Sequence, residues 1–74
     1  MQRYRNIDGH SGVTAYEIGA GWIRLRFVGG EAYEYTDQAT GPEHVRNMQQ
    51  LARAGEGLAT YVSRFVREAY ARKL

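Results

Sequence analysis

The 74-residue chain has no cysteine, one proline and one lysine. Without cysteine it can form neither a disulfide nor a thiolate metal site. Its two imidazoles, His10 and His44, lie far apart in sequence, so no structural metal is expected and no cofactor is implied. No apolar run approaches the ~20 residues that a membrane-spanning helix requires. The opening MQRYRNIDGHSG lacks the apolar stretch of a signal peptide, and cytoplasmic residence is the expectation. Linkers, low-complexity tracts and internal repeats are also missing. The length suits one domain, near the lower limit of what folds without a covalent or metal staple.

What is present is aromatic and rich in arginine. One tryptophan, two phenylalanines and six tyrosines must supply much of the core, each removing roughly 150–250 Å² from water. Every basic side chain except Lys73 is an arginine, yet the net charge is only +2. Arginine suits bidentate contact with phosphate, which points toward nucleic acid. A GC-rich genome, which favours arginine, alanine and glycine, gives the same bias without any such function.

Residues 1–12 are polar, carry Arg3 and Arg5, and read as a flexible N-terminal arm; a single domain then spans 13–74. Three strands are expected, about 13–18 (VTAYEI), 22–28 (WIRLRFV) and 31–36 (EAYEYT). In the second, Ile23, Leu25 and Phe27 share one face while Trp22, Arg24, Arg26 and Val28 share the other. The short GAG and VGG turns imply antiparallel neighbours, hence a three-stranded β-meander. Two helices follow, about 42–54 and 58–72. Thr40-Gly41-Pro42-Glu43 has the spacing of a capping box with proline in the first turn. Val45, Met48, Leu51 and Ala52 recur at helical spacing, and AGEG stops the helix. In the last segment Leu58, Val62, Phe65, Val66 and Ala69 form an apolar stripe, with Arg64 and Arg67 facing away. The fold class is α+β: a meander packed on one face by two C-terminal helices.

Nothing in the chain supports catalysis. Ser11 adjoins His10, but its nearest orienting carboxylate, Asp8, lies in the same loop. Glu31 and Glu34 point to opposite faces of a strand and form no carboxylate pair. The glycine turns lack the lysine and the strand–loop–helix context of a phosphate loop. His44 borders an apolar helix face, where a packed or capping histidine is the ordinary case.

The pieces in their order resemble the KTSC domain, a short module found at the C-terminus of some lysyl-tRNA synthetases and as a free-standing bacterial protein. Its central YxY is matched by Tyr33 and Tyr35. SGVTAYEI is similar to the family's opening strand, giving Ser11, Val13, Tyr16 and Glu17. YVSRFVREAY is similar to a C-terminal stretch, giving Tyr61, Val66, Arg67 and Tyr70. The resemblance covers about residues 11–70. Ser63 stands where the family usually has asparagine, and the spacer GEGLAT is longer than usual. The family's function is unknown; RNA binding has been suggested from its association with a synthetase, and the resemblance implies no more than that.

The glycine turn decides where the two tyrosines point. With a two-residue loop, Arg26 faces Tyr33 and Arg24 faces Tyr35, and the tyrosines join Trp22 on an exposed platform. With a three-residue loop and Gly30 left-handed, Leu25 faces Tyr33 and Ile23 faces Tyr35. The slip exchanges the faces of the whole strand. The shorter loop would bury Glu34 without a partner, so the longer one is expected and the tyrosines become fold signatures. Tyr33→Ala should then cost roughly 3–5 kcal/mol.

Two basic surfaces remain as candidates. One is the outer sheet face with Trp22, Arg24 and Arg26, the kind of surface that holds single strands. Its plain alternative is a solvated face on which Glu34 pairs an arginine across strands. The other is the outer helical face with Arg64 and Arg67, where Arg72 and Lys73 also complement a helix dipole. The expected function is a small non-enzymatic binding module for RNA or other single-stranded nucleic acid. The alternative is protein–protein interaction or self-association, through a strand edge or the Trp22 surface.

Overall fold

A computed structural model describes residues 1–7 and 9–74. Its centre is the expected meander: β2 (Val13–Gly19), β3 (Trp22–Phe27) and β4 (Ala32–Thr36), antiparallel in that order. The three-residue loop Val28-Gly29-Gly30 joins β3 to β4. The Gly30 N–H donates to the Phe27 carbonyl and the Phe27 N–H to the Glu31 carbonyl. Gly29 and Gly30 sit at φ 97° and 93°, a region open to glycine and strained for other residues. The bulged register follows, with Ile23 opposite Tyr35 and Leu25 opposite Tyr33.

Two further strands extend the meander, each only two residues long. β1 (Gln2–Arg3) pairs with β2, and β5 (Arg72–Lys73) pairs with β4, giving the sheet order β1-β2-β3-β4-β5. The first residues, read from sequence as a flexible arm, are thus joined to the sheet edge. The next residue, Tyr4, lies in the core at 2 % exposure. Its N–H donates to the Thr14 carbonyl and its hydroxyl accepts from the Leu58 N–H. A polar composition hid this anchor, because one tyrosine carries it.

The helical layer also departs from expectation at its ends. A short helix, α1 (Asp37–Thr40), follows β4 directly, capped by the Thr36 hydroxyl, which accepts from the Ala39 N–H. Thr40 therefore closes α1 and does not cap the next helix; its hydroxyl donates to the Ala69 carbonyl at 2.5 Å. α2 (Pro42–Ala54) has the expected bounds, with Pro42 in its first turn and Gly55 left-handed at its end. The last helix, expected to reach 72, is α3 (Leu58–Tyr61) continued by a π-helical turn over Val62–Val66. Arg67 ends it with φ 33°, its N–H bonded to the Val62 carbonyl five residues back. Beyond that point the chain turns back to the open edge of β4. Ala71 and Leu74 N–H groups donate to Glu34 and Ala32 carbonyls. Pairing with the open edge of β4 therefore outweighs local propensity, because residues 67–74 are mostly good helix formers.

One core fills the space between sheet and helices. The inner sheet face contributes Tyr16, Ile23, Leu25 and Tyr35; α2 contributes Val45, Met48 and Ala52; the last helical segment contributes Leu58, Val62 and Val66. Among the described residues no helix is long and apolar enough to cross a membrane.

Candidate nucleic-acid interface

The strand pleat carries Trp22, Arg24 and Arg26 to the face away from the helices, as their alternation requires. Their neighbours alter what they can do. Glu17 lies opposite Arg24, Arg24 opposite Glu34, and Glu34 opposite Arg72. One row of side chains therefore crosses four strands with alternating charge. Arg24 binds Glu34 at 2.7 Å and Glu17 at 3.2 Å, while Arg72 binds Glu34 at 3.2 Å. The Arg24 and Arg72 guanidiniums hold the Glu34 carboxyl below its ordinary pKa, and Glu34 in turn raises that of Arg24. Glu34 thus serves two arginines, one more than expected of a solvated face.

Trp22 is likewise engaged. Its ring rests on Gly19 of the facing strand, where an added Cβ would come within 2.1 Å of the indole, and the Arg24 guanidinium lies 4.6 Å from its centroid. Glycine at 19 is what lets the ring lie flat there. Arg26 is exposed and has no ion pair among the described residues.

The inner-facing tyrosines divide in two. Tyr35 is 1 % exposed, and burial, with lesser contributions from Tyr33 and Tyr70, pushes its hydroxyl up to about 12. Tyr33 shares its face but sits half-buried at the sheet end, 4.7 Å from the Tyr70 ring and 5.9 Å from Phe27. These rings, with Arg67 and Glu68, line a cavity of about 280 Å³. The full core cost of truncation thus belongs to Tyr35 more than to Tyr33. Tyr16 is buried, and Tyr70 packs edge-on against Tyr35.

Arg64 and Arg67 do not share a face, because the helix expected to carry both ends between them. Arg67 borders the tyrosine cavity. Arg64 lies 5.6 Å over the ring of Phe65. Phe65, expected in the core, is 55 % exposed: the wider π turn keeps Val62 and Val66 inward and rotates Phe65 off their line. Its ring packs 4.8 Å from Tyr61 and stacks over His44 at 6.3 Å. His44 Nδ1 and the Tyr61 hydroxyl are 2.6 Å apart, and Asn47 donates to the same hydroxyl at 3.1 Å. The result is an exposed ring on a rigid base, beside a guanidinium. The sequence held one signal for it, a phenylalanine next to arginine in a β-branched segment, but helical periodicity assigned that ring to the core.

The Ser11 hydroxyl accepts from the Val13 N–H, a local turn contact, and His10 is exposed. Asp8, the third member of that grouping, lies outside the described residues. Among the described residues no group of three or more His, Asp or Glu side chains is placed to hold a metal ion. No protein-family model, curated protein or solved structure matches the chain.

Proposed function

We propose that the chain is a non-enzymatic cytoplasmic module that binds single-stranded nucleic acid, RNA before DNA, and that it is a member of the KTSC family. The observation that carries the reading is the exposed Phe65 ring with Arg64 beside it, braced by Tyr61 and His44. A base can stack on such a ring whatever its identity, and a neighbouring guanidinium can meet the adjoining phosphate. On the sheet face Arg24, the guanidinium over Trp22, already shares its charge with two carboxylates, and Arg26 stands two positions further along the strand from Arg24. The helical surface is therefore the stronger of the two.

The rival reading, self-association through a strand edge, has less support. Both edge strands are two residues long and carry Arg3, Arg72 and Lys73, a length and charge that oppose edge-to-edge pairing. A salt series on a fluorescent oligouridylate separates the two readings. Phosphate contacts give a log–log slope of about 0.7 per contact on single strands. Affinity that ignores salt, or a dimer in sedimentation with no oligonucleotide bound, would overturn the nucleic-acid reading.

A further inference from the structure

A further groove lies on neither of the surfaces that the sequence singles out. It is a depression of about 710 Å³ lined by Arg3, Arg5 and Arg53, with Tyr16, Ile18 and Glu17 among its walls. Residues 48 positions apart meet there because β1 joins the sheet edge beside the C-terminal end of α2.

Arg5 makes the place hospitable to an anion. The last carbonyls of a helix form its negative end, which would repel phosphate. The Arg5 Nη2 donates to two of them, Arg53 at 2.6 Å and Ala54 at 3.1 Å. Gly55 permits this approach, since a Cβ there would stand 2.8 Å from the Arg5 Cβ. The segment is held on both sides of Arg5: Tyr4 is buried with its hydroxyl on the Leu58 N–H, and the Ile7 N–H donates to the Gly55 carbonyl at 2.8 Å. Arg3 and Arg53 are exposed and form no ion pair among the described residues. The one carboxylate in the groove, Glu17, is bound to Arg24. Three guanidiniums thus line a groove whose single acid is already paired, on a domain of net charge only +2.

We infer that this groove is a phosphoryl-binding site, in which Arg3 and Arg53 contact the anion and Arg5 positions the groove by neutralising the helix end. Guanidinium forks match phosphate oxygens in pairs, and a partly buried wall of Tyr16 and Ile18 gives the rest of a phosphorylated ligand something apolar to cover. The phosphoryl group belongs either to a polynucleotide backbone or to a small phosphorylated compound. The inference goes beyond the Phe65 surface and does not depend on it.

The test is an NMR titration of the full chain with two probes, inorganic pyrophosphate and an eight-residue oligouridylate, read at backbone amides and arginine Nε–H groups. The expected result is movement of the Arg3, Arg5, Arg53 and Gly55 signals by at least one probe. Response to the oligouridylate alone assigns the polynucleotide backbone; response to pyrophosphate assigns small phosphates as well. Arg3→Ala with Arg53→Ala should weaken that response about tenfold or more. Both positions are exposed and outside the core, so an unchanged melting temperature checks the fold. In Phe65→Ala the pyrophosphate response should persist even if oligouridylate binding fails, which separates this site from the stacking surface. Silence of the four signals toward both probes would overturn the inference, as would wild-type affinity in the double variant.

Discussion

Two arginine–aromatic pairs sit on opposite sides of this domain. On the sheet, Arg24 lies over Trp22; on the π turn, Arg64 lies over Phe65. As local sequence they look alike, each a large ring within two residues of an arginine. Their surroundings make them different objects. Arg24 stands in a row of alternating charge with Glu17, Glu34 and Arg72, and Trp22 is pressed on Gly19. Arg64 has no carboxylate partner among the described residues, and Phe65 is more than half exposed. A cation–aromatic pair is available to a ligand only where the cation is not already neutralised and the ring is not already covered.

That contrast rests on a common scaffold, and the scaffold gives the largest expected effect. Tyr35→Ala should lose about 3–5 kcal/mol in urea unfolding, as large aromatic truncations in cores do. It should weaken both surfaces together; a loss below about 0.5 kcal/mol would mean that Tyr35 does not anchor the sheet. Alkali tests the same residue. Its hydroxyl titrates at about 12 against an ordinary 10. Because the folded value is the higher, the stabilisation is whole below pH 10 and is lost as pH rises toward 12. The loss should reach roughly 2–3 kcal/mol, and Tyr35→Phe should abolish that part of the alkaline decline.

The next effects separate the two pairs directly. Phe65→Ala should reduce oligouridylate affinity about tenfold, the value of one stacked base, with little change in melting temperature. A drop in stability with unchanged affinity would reassign Phe65 to packing. Glu34→Gln should loosen the sheet row by freeing Arg24 and Arg72, and the salt slope should steepen by about 0.7 if either then meets a phosphate. The same variant should be less sensitive to acid. Glu34 titrates below its unfolded value, so its stabilisation is present above that value and disappears as pH falls through the folded one. Smallest of all, Arg24→Ala should change oligouridylate affinity less than about twofold, because its charge is already compensated. A larger loss would place the sheet face back in the binding surface.

How much of this was legible in the sequence depended on range. The alternation of Ile23, Leu25 and Phe27 against Trp22, Arg24 and Arg26 is a local pattern and came through. So did the bulged turn, because the other register would have buried Glu34 unpaired. The burial of Tyr4 did not, since no period marks one tyrosine in a polar arm. Thr40 was read as a helix cap, yet an equally good cap three residues after Tyr33, Thr36, started a helix first. Phe65 was misplaced because the stripe assumed 3.6 residues per turn where the chain uses a wider turn.

The sequence by itself therefore determined the three central strands, their register and α2, all set by side-chain period and glycine turns within a few residues. Only the tertiary structure decided which arginines keep a free charge. That depends on β5 bringing Arg72 to Glu34 and on β1 bringing Arg3 and Arg5 beside Arg53. Both are pairings between the chain's ends and its middle, made by backbone hydrogen bonds that every residue type except proline can supply and that composition does not mark.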